Sequence, residues 1–474
     1  MPFEFVMNDG IDNATRKRIR RHVSLGRNMG RKLTRASKKD LALMTATSFR
    51  VPRIVKGTVQ NNSRNQGIER PIDDMLLFRT LLPGESKSTV KKVISFLSSM
   101  GFSPELSQGL DYGYLGTPTC VKNMFIDDAC FHSTMATALV YLDGLVSEPG
   151  GKVLSMRHAS CTLGLIQRVV TCRSEISDLT IAAVISMAQY EHQQHRIKEG
   201  SVHIYGLLQM THLRGGIRDL IATNFGLGQK LLRIDLEYAL QLGSPTMFNL
   251  EDTEIGCVGT TDFAKAYLGI HSVQRPGTSR QCRFDFLSVQ LRRLLLYETF
   301  FAAVLNDAVA GTSPRVDATE VYQNTVLLGY RLVRIKPLGS PCQLSFIENK
   351  AHLGLAAFLQ FFLQGWDGKI TRNDHLTRSL LAAAHELPGV QQDQQELSLW
   401  FFFIGAASSH LWDNPFWISR TTAILYGLNI DSWHGVKTVL AEFPWVNAIH
   451  DAPGHKLWCL CDHTDDSAPA HLYL

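Results

Sequence analysis

The sequence has no acidic residue between Thr15 and Asp40 and no cysteine before Cys120. The first gap leaves a block of cations without an internal counter-charge. The second excludes a cysteine-built metal module ahead of that position. No apolar run reaches the ~20 uninterrupted residues that a membrane-spanning helix requires. The nearest, Leu397 to Trp412, is broken by Ser398, Ser408, Ser409 and His410 and reads as a buried helix, so no membrane partner is expected. Met1 to Gly10 contains acids and no apolar stretch, which predicts no secretory signal. Period-two alternation is scarce, which argues against a sheet protein, and no repeat of fixed length is present.

Motifs that carry chemistry are also missing. There is no Gly-x-Ser-x-Gly elbow. Gly226-Leu227-Gly228 is not followed by the Lys-Ser/Thr of a phosphate loop. Glu191, His192 and His195 have neither the order nor the spacing of a zinc helix, and read as a partly exposed polar helix end. Asp127-Asp128 reads as a helix cap, since Phe131 stands where a further aspartate would be needed for a paired metal site. The text from His450 to His463 holds Cys459 and Cys461, but Cys-x-Cys is tighter than the usual structural zinc spacing, and a surface tail is expected there. No catalytic residue, metal ligand or cofactor site is therefore assigned. The nine cysteines are scattered and odd in number, which suits reduced thiols.

What is present is a large apolar fraction. Hydrophobic residues make up 45% and charged residues 19% of 474 positions, enough to build a substantial core. The pattern divides the chain in two. Residues 1–71 are basic and polar and read as a weakly ordered arm with a linker around Gln60 to Gly67. Residues 72–474 read as an all-α body of many helices. Val90, Val93, Ile94 and Leu97 align along Ser88 to Met100, and Phe131, Met135, Ala138, Leu139 and Leu142 along a helix capped by Asp127. Leu163, Ile166 and Val170 align between Lys152 and Cys172. Further helices are expected over Leu227 to Leu242, Asp285 to Asp307, Val316 to Ile335, Lys350 to Gly365, Leu376 to Leu387, Gln394 to Trp412, Pro415 to Leu428 and Asp431 to Phe443. Gly243 to Gly259 and Pro276 to Arg283 read as long loops.

The stretch from Ser174 to Phe225 organises the rest. Ser177 and Asp178 are cap residues ahead of a face formed by Ile176, Leu179, Ala183, Met187 and Tyr190. Gly200 is expected to stop that helix. A second face follows in Ile204, Leu207, Leu208 and Leu213, and Gly215-Gly216 closes it with a reversal. This order of elements, with His203, Gly206, Leu207, Leu213, Arg214, Gly215 and Gly216 at their spacing, resembles the regulatory region of fungal-specific transcription factors. The run ALVYLDGL, then SMRHASCTLGLIQRVVT, is similar to the helices that precede it in that family. LSLWFFFIGAASS followed by Asn414-Pro415-Phe416-Trp417 resembles its later Trp-bearing helix. Phe5, Val6, Ile19, Arg20, His22, Val23, Arg31 and Lys32 resemble a separate N-terminal signature.

The resemblance implies a transcription regulator acting in the nucleus, with other regulators and a small-molecule effector as partners. It departs from the family in one respect. The six-cysteine zinc cluster through which that family reads DNA has no counterpart in this sequence. What remains is the acid-free block of Arg16, Lys17, Arg18, Arg20, Arg21, Arg27, Arg31, Lys32, Arg35, Lys38 and Lys39. It reads as a nuclear-import signal, a DNA contact through phosphate, or a solvated tail. No aromatic residue interleaves it, so stacking on single strands is not expected. Contact with duplex DNA would be salt-steep and poorly selective. The alternative reading is an all-helical metabolite-binding protein or enzyme.

Overall fold

The chain divides into two units, Met1–Glu69 and Arg70–Leu474. A computed structural model describes residues 81–82, 85–99, 101–112, 118–145, 151–172, 175–248, 283–341, 343–363, 372–386 and 389–462, all in the second unit. Among them are seventeen α-helices and two strands of two residues each, so the body is all-α as the periodicity predicts.

The first helices form a sub-core of their own. Helix α1 (Lys87–Ser98) starts at Ser86, whose hydroxyl accepts a hydrogen bond from the amide of Thr89, and buries Val90, Val93, Ile94 and Leu97. The Gly- and Pro-rich connection after it contains a short α2 (Pro104–Ser107) and strand β1 (Leu110–Asp111). Next come α3 (Thr119–Met124) and α4 (Asp128–Leu145), and the carboxylate of Asp127 accepts from the amide of Cys130 at the start of α4. Phe131, Met135, Ala138 and Leu139 of α4 close on the apolar side of α1, with Val121 and Met124 between.

Helix α5 (Gly151–Thr171) packs along α4, which also packs on α6 (Asp178–Gln193). The inward face of α5 is not the expected one. It buries Ser155, His158, Ala159 and Thr162, while Leu163 and Val170 point to solvent and Ile166 is half-buried. Periodicity locates an apolar stripe but not its direction, and here small and polar residues suit the close approach to α4. Ser155 donates to the carbonyl of Ala136 across that approach.

Ser177 caps α6 as expected, accepting from Thr180. The stop of α6 is not Gly200. The helix ends at Gln193, and His195 takes the left-handed turn with φ 57°. Gly200 lies inside α7 (Ile197–Leu213), where a Cβ would sit 1.7 Å from the hydroxyl oxygen of Tyr238. The missing side chain lets α7 approach α9 (Phe225–Leu242), which carries that tyrosine. Ile204 and Leu207 are buried on α7, but Leu213 is exposed, because the chain is already turning there. Gly215 and Gly216 make the reversal with φ 91° and 98°, and a short α8 (Ile217–Thr223) leads into α9.

The larger core joins these helices to the second half. α10 (Val289–Ala310) leads to strand β2 (Val316–Asp317), which pairs in parallel with β1, Leu110 opposite Val316. α11 (Ala318–Ile335) packs on α9, and α12 (Phe346–Gln360) begins four residues before the expected Lys350 because Ser345 and Glu348 form a capping box. α13 (Asp374–Ala384) and α14 (Gln392–Ser409) follow. α14 is buried along its length from Glu396 to Ser408, the central rod of this half. α15 (Pro415–Gly427), α16 (Trp433–Leu440) and α17 (Asn447–Asp462) surround it.

The C-terminal text was expected to be a surface tail, and up to Asp462 it is helix α17. Leu457 and Cys461 are buried there, and His450 is fully buried. The Nδ1 of His450 accepts from the amide of Val446 at 2.8 Å, and its ring meets that of Phe361 edge-on at 4.3 Å. Burial holds the imidazole neutral, with its pKa lowered to about 3. Apolar neighbours on α14 and α15, far away in sequence, account for the difference.

Candidate functional site

The eleven cations from Arg16 to Lys39 lie outside the described residues. Residues 249–282 do so too, so of the two expected loops only residues 243–248 and Arg283 are described. Those ends are anchored. Asp235 of α9 accepts from the amides of Met247 and Phe248 and from the hydroxyl of Tyr330, holding the chain as it leaves α9. Burial raises the pKa of Asp235 to about 6. At the other end, Arg283 pairs with Asp393, Glu396 and Glu442 and lies over the rings of Phe284 and Phe443.

One partly open pocket brings polar groups together. It is lined by His192, Glu237, Leu240, Gln241, Gln360, Leu363 and Asn373. Four elements place them: the end of α6, the last turns of α9, the end of α12 and the cap of α13. Asn373 holds two of these elements. Its Oδ1 accepts from the amide of Leu376 at 2.9 Å, capping α13, and its Nδ2 donates to the carbonyl of Leu240 at 3.2 Å. Gln241 donates to the carbonyl of Arg372 at 2.9 Å. Glu237 pairs with Arg233 one turn back at 2.7 Å, and that guanidinium lies 5.1 Å from the ring centre of Tyr322.

His192 is buried, whereas a partly exposed helix end was expected; Glu191 is half-buried and His195 exposed. The His192 ring leans on Tyr238, whose hydroxyl donates to the carbonyl of Ala188 at 2.8 Å. Its Nε2 finds no hydrogen-bond partner among the described residues. Desolvation lowers its pKa, and the charge of Glu237 offsets part of that effect. The cavity holds about 10 Å³. One water needs about that volume, whereas pockets for small organic ligands run to hundreds of Å³. The site fits one water shared between His192 and the side-chain amides around it.

A second buried polar group lies between α4 and α5. The Nδ1 atoms of His132 and His158 are 2.8 Å apart, and Nε2 of His158 is 3.4 Å from the carboxylate of Glu85. One imidazole must donate to the other at that distance, so their tautomers are linked.

A third cluster fixes the organising stretch. Arg214, just before the double glycine, donates through Nη1 to the carbonyl of Ile176 at 3.0 Å and to the carboxylate of Asp178 at 2.8 Å. Asn224 donates to the other oxygen of Asp178 at 2.7 Å while capping α9 with its own. The hydrogen bond from Asn224 leads the effects that lower the pKa of Asp178, with Arg214 adding to it. The start of α6, the reversal and the start of α9 are thereby tied at one carboxylate.

Among the described residues no group of three or more His, Cys, Asp or Glu side chains is arranged to hold a metal ion, and no helix is long and apolar enough to cross a membrane. His455 and Cys459 approach at 3.5 Å on α17 without a further ligand. Comparison of the chain with protein-family models, with curated proteins and with solved structures finds no match in any of the three.

Proposed function

We propose that this chain is a transcription-regulator-like protein of the fungal-specific type. It acts in the nucleus through its helical body, with no zinc cluster inside this sequence to read DNA. One observation carries the reading. The stretch that bears the resemblance is a packed unit, in which Arg214 of the Leu-Arg-Gly-Gly turn bonds back to the cap of α6. Arg214 and the double glycine after it thus have a folding role in this stretch, which supports the reading.

The basic block supplies nuclear import, with weak phosphate contact as a secondary role. The body supplies contacts to other regulators. The alternative, a metabolite-binding protein or enzyme, draws on the unpartnered His192 in its cavity. The volume there weighs against it, since a site for one water is far smaller than a metabolite.

The test is the distribution of the tagged full chain in fungal cells. It is expected to accumulate in the nucleus and to lose that accumulation when Arg16, Lys17, Arg18, Arg20 and Arg21 are replaced by alanine. A cytoplasmic protein indifferent to those replacements would contradict the proposal.

A further inference from the structure

The outward face of α5 carries four large apolar side chains among its exposed polar ones. Val153, Met156, Leu163 and Val170 are 55%, 52%, 46% and 55% exposed. With exposed Ser160 and Gln167 they occupy positions 153, 156, 160, 163, 167 and 170. That alternation of three and four is the spacing of a two-helix seam, on the flank of α5 beside the buried face of Ser155, His158, Ala159 and Thr162. Gly164 lies beside the seam, and a Cβ placed on it would meet nothing within 4 Å. The face is open.

The charges that α5 itself contributes have one sign. Lys152, Arg157 and Arg168 are exposed on α5, and no acidic residue occurs from Gly151 to Cys172. We propose that this face docks an acidic amphipathic helix of a partner protein, apolar at every third and fourth position and carrying Asp or Glu on both flanks. The apolar seam supplies the contact, and the cations select the sign of the partner.

Charge argues against a second copy of this chain, because pairing α5 with itself sets cations against cations. Shape argues against a lipid surface. The seam is narrow, has no aromatic residue and is interrupted by Ser160, Gly164 and Gln167, whereas interfacial helices carry a wide face with bulky anchors. Scale sets the strength. A helix of 21 residues is about 31 Å long, so one such seam buries less than the roughly 800 Å² per partner of a standard interface. A transient complex in the micromolar range follows.

The experiment titrates the full-length protein against a fluorescein-labelled synthetic peptide of about five helical turns. Leucine occupies its seam positions and glutamate most others. A control peptide carries lysine in place of glutamate. The acidic peptide is expected to bind at micromolar concentration, and Leu163→Glu to weaken it by about tenfold or more. Arg168→Glu should weaken it too, and added salt should lengthen the dissociation constant. Both variants alter exposed positions, and an unchanged circular dichroism spectrum confirms their fold. Four results would each overturn the proposal: no binding, equal binding of the two peptides, a dimer in sedimentation that Leu163→Glu dissolves, or retention on phosphatidylserine vesicles that Leu163→Glu abolishes.

Discussion

Replacing Trp400 with alanine is expected to destabilise the body by about 3–5 kcal/mol, the range for removing a large buried aromatic. Trp400 is fully buried in the middle of α14. Its indole N–H donates to the carbonyl of Pro444 at 3.0 Å, and its ring stacks on Phe443 with centroids 5.5 Å apart and planes 11° from parallel. Gly354 of α12 stands against the six-membered ring, where a Cβ would lie 2.5 Å from the indole. The variant thus loses apolar burial, leaves a carbonyl without its donor and opens a void between two central helices.

The same geometry gives a sharper test than the single change. In the natural background Gly354→Ala forces a clash and should cost about 1–3 kcal/mol, despite the better helix propensity of alanine. In the Trp400→Ala background the methyl group enters space already vacated, so the cost should shrink or reverse. Denaturant midpoints of the four proteins yield the coupling. Additive effects would mean that α12 and α14 do not meet through this pair.

Glu298→Gln is expected to stabilise the protein increasingly as pH rises. Glu298 of α10 is fully buried, and neither carboxylate oxygen has a hydrogen-bond partner among the described residues. Desolvation raises its pKa well above the ordinary value. A carboxyl raised in the folded state is neutral there while the unfolded chain ionises. Its stability is full below the unfolded pKa of about 4.3 and is lost at about 1.4 kcal/mol per pH unit until the folded pKa is reached. Glutamine does not titrate, so the difference between variant and natural protein should be small near pH 4 and grow toward neutrality.

The buried histidines run the other way. Burial lowers His352 to about 4 and His450 to about 3. Their stability is present above the unfolded histidine pKa of about 6.5 and is lost as pH falls through that window. The difference between Glu298→Gln and the natural protein cancels their contribution and isolates the carboxyl. A difference that does not change between pH 4 and pH 8 would show Glu298 ionised in the native state.

Local signals made much of this fold readable. Caps at Ser177 and Asp127, the apolar rows of α1 and α4, the Gly215-Gly216 reversal and the buried rod of α14 all act within a few residues, where propensity and periodicity decide. What was not readable depended on partners distant in sequence. Gly200 looked like a helix stop until Tyr238 of α9 explained why no side chain fits there. Leu163 and Val170 formed a legible stripe, but only the packing of α4 fixed its direction. The polar text after His450 looked like a tail because its apolar neighbours come from other helices.

The water-sized site at His192 had little chance of being found. Its lining comes from α6, α9, α12 and α13, and Gln360 and Asn373 carry no motif. The one local hint was the Arg233–Glu237 pair at the spacing of a helical turn. The eleven cations of the N-terminal block were the plainest feature of the sequence, and they lie outside the described residues.

The regulatory reading is tested most directly by tethering the full chain to a promoter through a heterologous DNA-binding domain and measuring the reporter transcript. The account expects transcription to change severalfold relative to the DNA-binding domain alone. It also expects the effect to weaken when Gly200→Val drives a side chain into Tyr238 at the α7–α9 junction. Reporter output equal to that of the DNA-binding domain alone, with the fusion nuclear and intact, would contradict it.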